Sequence, residues 1–96
     1  MTYTTEQRSI MAEIINYYGH ESQKMMLLEE MIELQKEIFH YDPDLEASTE
    51  EVADVMIMLE QIQMMYHISE TKLHKITNEK LHCQLRRIED EKIHKK

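Results

Sequence analysis

The scarcity of chain-breaking residues is the feature that most constrains the fold of this protein. Glycine and proline occur once each in 96 residues, as Gly19 and Pro43. Hairpins, Rossmann-type loops and most tight turns need more such residues than this chain contains. We therefore predict an all-α protein that forms a single domain over residues 1–96.

Helix caps and apolar periodicity divide the chain into four predicted helices. Thr4 and Gln7 can form a capping box at the first helix, and Gly19 is a natural stop after it. The loop around Pro43 separates the second helix from the third, because the residue before proline disfavours helical geometry. The predicted helices cover about residues 4–18, 21–39, 48–67 and 69–93, with residues 5 and 49 as alternative starts for the first and third.

The third predicted helix is apolar on nearly all sides. Only Asp54, Glu60, Gln61 and Gln63 interrupt residues 52–65. Such a helix is buried on most sides, and a single short chain has few helices to surround it. We therefore expect self-association, as a homodimer or a homotetramer of two dimers, with the third helix near the interface. In the fourth helix the residues expected to face inward are Leu73, Ile76, Leu81, Leu85 and Ile88.

Charge is distributed unevenly along the chain. The net charge is −8, with −11 in residues 1–67 and +3 in residues 68–96. An acidic body argues against general nucleic-acid binding. The cations of the last segment either face an anion held by a metal on the acidic part or form a solvated, mixed-charge helix face.

The lone cysteine and the hydropathy pattern bear on the compartment. Cys83 cannot form an intrachain disulfide, which fits a reducing, cytoplasmic environment. The N-terminal residues MTYTTEQRS lack the apolar segment of a signal peptide. No uncharged apolar run is long enough for a membrane span, so we expect no membrane association.

Two pairs of carboxylates have the i, i+3 spacing that places both members on one helix face. Glu30 and Glu33 form the pair on the second helix, and Glu51 and Asp54 form the pair on the third. Antiparallel helices joined around Pro43 could bring the pairs together. Four carboxylates with water molecules suit Mg²⁺, and the lack of His or Cys at matching positions argues against zinc.

Some of these carboxylates could instead have purely structural roles. Glu51 could complete a capping box with Ser48, and Glu29 or Glu33 could pair with Lys36 on a solvated face. Asp54 favours the metal, because an aspartate buried in an apolar segment needs a cationic partner.

A di-iron bundle is a further alternative, because ExxH motifs occur at residues 79–82 and 91–94. Both motifs lie on one predicted helix, so they cannot meet within one chain.

The ordered double motif resembles the EExxE…ExxD signature of the all-α nucleoside triphosphate pyrophosphatases. Its first half is Glu29-Glu30-Met31-Ile32-Glu33 and its second half is Glu51-Val52-Ala53-Asp54. The most similar group is the MazG-like proteins, with the dimeric dUTPases and phosphoribosyl-ATP pyrophosphatases as related groups. The apolar run after Asp54 and the basic segment 80–88 also resemble this family, and the similarity covers about residues 20–90.

The resemblance implies a four-helix, MazG-type fold completed by oligomerisation. It also implies Mg²⁺-dependent hydrolysis of a nucleoside triphosphate to the monophosphate and pyrophosphate, with Mn²⁺ as a substitute metal, for cleansing or regulating the nucleotide pool. By position, the metal ligands would be Glu30, Glu33, Glu51 and Asp54. Glu29 would orient or activate the attacking water, or support the ligand shell.

Substrate contacts are expected from two further regions. Lys80 with Arg86 or Arg87 could stabilise the triphosphate, and Asn78 could contact the substrate. Gln23 and Lys24 lie about one turn before the motif, where related proteins line the nucleotide pocket. Exposed helix charges and caps are the structural alternatives for these residues. A non-catalytic helical interaction module is the alternative for the whole chain.

Overall fold

A computed structural model describes residues 3–94 and shows four α-helices and no strand in that range. The helices are α1 (Thr5–Tyr18), α2 (His20–Ile38), α3 (Leu45–Met65) and α4 (Glu70–His94). The all-α prediction is therefore confirmed for the described chain. No helix within this range is long and apolar enough to cross a membrane.

The boundaries of α1 follow the predicted caps. The Gln7 N–H donates to Thr4 Oγ1 at 3.0 Å, and the Thr4 N–H donates to Gln7 Oε1 at 2.8 Å. At the other end Gly19 adopts φ +90°, and its N–H donates to the Ile15 carbonyl at 2.8 Å. A positive φ suits glycine because it has no Cβ, so one residue both ends α1 and precedes α2.

The start of α3 differs from the prediction. The Asp44 carboxylate accepts hydrogen bonds from the N–H groups of Glu46 and Ala47, at 2.9 and 3.3 Å. Asp44 is thus the N-cap, so the helix begins at Leu45 rather than near residue 48. Ser48 lies inside the helix, and the predicted capping box between Ser48 and Glu51 is wrong.

The C-terminal end of α3 is a Schellman-type turn with an unusual residue in it. The N–H groups of His67 and Ile68 donate to the carbonyls of Met64 and Gln63, at 3.4 and 3.0 Å. His67 occupies the left-handed region with φ +54°. Glycine is the usual residue there because a Cβ makes this conformation unfavourable.

The α2 and α3 helices pack against each other as an antiparallel pair. Glu37, near the end of α2, accepts hydrogen bonds from the Asp44 N–H and the Ser48 hydroxyl at 3.2 and 3.3 Å. Glu30, nearly two turns earlier in α2, lies beside Asp54, which is farther along α3. The α1 helix packs across this pair. The buried apolar residues are Met11, Ile15, Val55, Met58 and Met65.

Burial around α3 is less complete than its apolar sequence predicts. Val52 and Leu59 remain 43% and 46% exposed, whereas the polar residues Glu60 and Gln61 are buried. Residues 52–65 are therefore not buried on most sides within the single chain, and their burial in an assembly stays a prediction. Two packed neighbours cover only part of a helix circumference, so one apolar strip of α3 faces solvent.

The α4 helix packs against no other helix of the described chain, and none of its residues is buried. The side chains predicted to face inward, Leu73, Ile76, Leu81, Leu85 and Ile88, do not do so within the single chain, where all five are between 37% and 59% exposed. Periodicity identified an apolar stripe, but a single copy supplies no surface to cover it. The chain is accordingly extended, with a radius of gyration of 17.3 Å.

Candidate metal centre

Three of the predicted metal ligands meet where α2 and α3 pack. One carboxylate oxygen each from Glu30, Glu51 and Asp54 lies within 4.8 Å of the other two. Glu51 and Asp54 are three residues apart on α3, and Glu30 approaches them from α2. This is the only group of three or more potential His, Cys, Asp or Glu ligands in residues 3–94. The ExxH motifs of α4 therefore form no metal cluster within the described chain.

The three carboxylates differ in exposure. Glu30 and Glu51 are half-buried, and Asp54 is exposed. The expectation that Asp54 is a buried charge is therefore wrong. On α3 the buried face contains Val55 and Met58, and Asp54 lies at its edge beside solvent. The centre thus has a partly desolvated inner side and an open outer side.

The inner side of the centre is electrostatically unfavourable without a cation. Partial burial raises the pKa of Glu30, and the neighbouring carboxylates of Asp54 and Glu51 raise it further by charge repulsion and hydrogen bonding. Glu51 Oε2 is buried and has no hydrogen-bond partner. The ion pairs found within residues 3–94 involve other carboxylates, so no basic side chain compensates this group.

Glu33, the fourth predicted ligand, is not part of the cluster. Its Oε1 lies 3.5 Å from Lys36 Nζ on an exposed face of α2, which is the structural alternative to a metal-binding role. Glu33 and Lys36 are 53% and 70% exposed, so this ion pair contributes little stability. Glu29 is exposed as well. The structure therefore assembles three of the five motif carboxylates.

The residues predicted to bind substrate are scattered. Gln23 is only 4% exposed in the interior, out of reach of solvent. Lys24 Nζ lies 3.1 Å from Glu21 Oε1 and 5.7 Å from the centroid of the Tyr66 ring. The other four are exposed on α4, which packs on neither α2 nor α3: Asn78, Lys80, Arg86 and Arg87. A single copy does not bring these four residues to the carboxylates.

A second charged group, which sequence patterns did not predict, lies at the other end of α3. Arg8 Nη2 is 3.0 Å from Glu60 Oε1 and 2.7 Å from Glu70 Oε1, so one guanidinium links α1, α3 and α4. The Glu60 side chain is 7% exposed. Burial, and then the charge of Glu60, raise the pKa of Tyr3. The sequence signal for this group is Glu60 itself, because a carboxylate within an apolar segment needs a cationic partner. The sequence does not show which basic residue is that partner.

No protein-family model, no curated protein and no solved structure matches this chain.

Proposed function

We propose that this protein is a Mg²⁺-dependent nucleoside triphosphate pyrophosphohydrolase of the MazG-like type. It would hydrolyse a ribo- or deoxyribonucleoside triphosphate to the monophosphate and pyrophosphate. The observation that carries the proposal is the meeting of Glu30, Glu51 and Asp54 across two helices, with no basic side chain among the described residues to neutralise them.

The donor set fits Mg²⁺. All three ligands are carboxylates, which hard divalent cations prefer. Oxygens bound about 2.1 Å from Mg²⁺ in octahedral geometry lie roughly 3 to 4 Å apart. The three oxygens lie within 4.8 Å of one another, so small side-chain rotations would bring them to binding distance. The unpartnered Glu51 Oε2 and the raised pKa of Glu30 both indicate a site that favours a cation.

Glu33 is proposed as the fourth ligand after a change of rotamer. Only the exposed ion pair with Lys36 holds its carboxylate away, and such pairs contribute at most about 1 kcal/mol. Glu29, one residue before Glu30, would accept a proton from the attacking water or hold that water in line. Mn²⁺ should replace Mg²⁺, because both accept oxygen ligands.

The difference in exposure among Glu30, Glu51 and Asp54 gives the proposed metal site an inner side and an outer side. A bound Mg²⁺ would neutralise phosphate charge and lower the pKa of a bound water. Half-buried Glu30 and Glu51 would hold the inner side of the centre, and exposed Asp54 would leave its outer side open to a triphosphate. Water would attack the α-phosphorus, the bond from this phosphorus to the α–β bridging oxygen would break, and pyrophosphate would leave with that oxygen.

On this proposal the substrate-binding site forms only when two or more copies of the chain assemble. Lys80 with Arg86 or Arg87 suits phosphate oxygens, and Asn78 suits a polar substrate group, but all four lie on the unpacked α4. We propose a homodimer, or a tetramer of two dimers, in which these residues and Lys24 come near the carboxylates. Gln23 would contact nucleotide only if the interior opened. A cytoplasmic nucleotide pool is the proposed setting.

The alternative is a non-catalytic interaction module of the same fold. The wide exposed apolar stripe of α4 favours this alternative, because protein partners bind such faces. A module of this kind would not need the three converging carboxylates.

The deciding experiment is pyrophosphate release from a panel of canonical and modified nucleoside triphosphates with Mg²⁺. Glu51→Gln removes one central carboxylate, and Glu50→Gln is a matched control on the preceding, exposed residue. We expect activity in the wild type and in Glu50→Gln and none in Glu51→Gln. No pyrophosphate from any nucleotide, or equal activity in all three proteins, would refute the proposal.

A further inference from the structure

The single chain exposes far more surface than a compact protein of its mass. Its accessible surface is 8166 Å², whereas a folded monomer of 11.6 kDa exposes about 5,800 Å². Its radius of gyration is 17.3 Å, against about 12.5 Å for a compact domain of 96 residues. The excess is about 2,300 Å² per chain, or about 4,600 Å² for two chains. That area falls in the range of obligate homodimer interfaces.

One part of this excess is the α4 stripe, formed by Leu73, Ile76, Leu81, Leu85 and Ile88. Spacings of three, five, four and three residues keep these side chains on one half of the helix. Lys80 and Arg87 follow Leu73 at intervals of seven residues, so they lie on the same side as the stripe. Arg86 lies on the opposite side.

A second apolar strip lies on the outer side of α2, away from α3. This α2 stripe consists of Met25, Leu28 and Ile32 on α2 and Phe39, the residue that caps its C-terminal end, each more than half exposed. Its spacings of three, four and seven residues are those of a helix that packs against another helix. Glu29 is exposed beside Leu28 and places a negative charge at the border of the stripe.

Charge favours one pairing of these surfaces. Residues 1–67, which contain the α2 stripe, carry a net charge of −11, and residues 68–96, which contain the α4 stripe, carry +3. Within α4 itself six basic side chains face five acidic ones, and Lys95 and Lys96 follow the helix. Pairing α4 with α4 of another copy would bring together two segments of net positive charge. Pairing α4 with the acidic body of another copy joins opposite charges and covers two apolar stripes.

We propose that the α4 stripe of one copy packs against the α2 stripe of a second copy, and that the second α4 returns the same contact. The interface is thus reciprocal, as two-fold symmetry requires. The partner is a second copy of this chain, with Lys80 and Arg87 of each copy facing the acidic α2 of the other. The inference depends on surface area and charge alone and holds whether or not the protein hydrolyses nucleotides.

Sedimentation velocity at micromolar concentration tests the interface. We expect the wild type to be a dimer, or a tetramer built from it. Leu81→Asp and Leu28→Asp each place a charge on one of the stripes and should each yield smaller species. Ile93→Asp is the matched control, because Ile93 is 67% exposed and turned about 140° around α4 from Ile88. It should leave the assembly unchanged.

The two stripe variants also test which surfaces meet. In a mixture, α4 of Leu28→Asp can still pair with α2 of Leu81→Asp, so part of the association should return. A monomeric wild type, or a Leu28→Asp variant that stays as associated as the wild type, would overturn the proposal. The second result would indicate pairing of α4 with α4.

Charge reversal supplies a test at positions that are already exposed and polar. Lys80→Glu with Arg87→Glu should weaken dimerisation about tenfold or more at low salt. An unchanged dissociation constant would contradict the charge argument. Zero-length carbodiimide coupling of mixed ¹⁴N- and ¹⁵N-labelled protein should join a light Lys80 to a heavy Glu29. Cross-links confined to α4 with α4 would overturn the proposed pairing.

Discussion

Replacing Glu51 with glutamine should affect stability in opposite directions with and without metal. Two like charges 4.8 Å apart repel by about 0.9 kcal/mol in water and by about 3.5 kcal/mol at an effective dielectric constant of about 20. Glu51 faces two such charges, on Glu30 and Asp54, at the edge of solvent. Solvent screens charges at this position, so the repulsion energy summed over the two pairs should be close to the value in water, at about 1 to 2 kcal/mol.

Without metal, Glu51→Gln should therefore be more stable than the wild type. About 1 to 2 kcal/mol corresponds to a rise of about 4 to 16 °C in Tm for a domain of this size. With Mg²⁺ at about 100 times its dissociation constant, the wild type should gain about 2.7 kcal/mol, and the variant should gain little. The order of the two Tm values should then reverse.

The assay is thermal unfolding by circular dichroism at one protein concentration, with EDTA and then with increasing Mg²⁺. Glu50→Gln is the control, since it removes the same charge one residue away from the cluster. It should follow the wild type in both conditions. An equal Mg²⁺ response in Glu51→Gln and wild type would refute the metal centre. A loss of stability in EDTA would refute the repulsion argument.

Further predictions concern other parts of the molecule. The pKa of Glu30 is raised in the folded state, so near that pKa the folded protein binds more protons than the unfolded protein. The free energy of unfolding of metal-free protein should therefore rise as the pH falls from neutrality through that pKa. Glu30→Gln should flatten this dependence of the free energy of unfolding on pH. Arg8→Met leaves Glu60 buried without a partner and should cost about 3 to 5 kcal/mol in urea unfolding, much of it recovered by adding Glu60→Leu. His67→Gly relieves a left-handed residue and should add about 0.5 to 1 kcal/mol.

Local signals predicted local structure well. The capping box of Thr4 with Gln7 and the stop at Gly19 depend on residues within one turn, and both occur in the structure. The start of α3 was misplaced because two capping residues compete there. Asp44 caps from outside the helix, so Ser48 becomes an ordinary helical residue bonded to Glu37. Sequence shows both candidates but not which one the chain uses.

Long-range burial was predicted less well, because periodicity identifies an apolar face without identifying what covers it. The α4 stripe is apolar and correctly spaced, yet no other helix within residues 3–94 packs on it. Asp54 was expected to be buried because its neighbours in sequence are apolar. Its position at the edge of the packed face depends on the rotation of α3 against α2, which sequence alone does not specify.

The two acidic residues Glu60 and Glu51 on α3 differ in how their charges are compensated. Both occur in or beside the apolar segment, where a carboxylate loses part of its hydration. Glu60 is the more buried, and Arg8 neutralises it at 3.0 Å. Glu51 has two carboxylates within 4.8 Å, a buried oxygen without a hydrogen bond and no basic neighbour among the described residues. The same helix therefore contains one compensated acid and one uncompensated acid. The chain supplies a guanidinium for the first and no similar partner within residues 3–94 for the second, and this contrast is what the proposed Mg²⁺ site would account for.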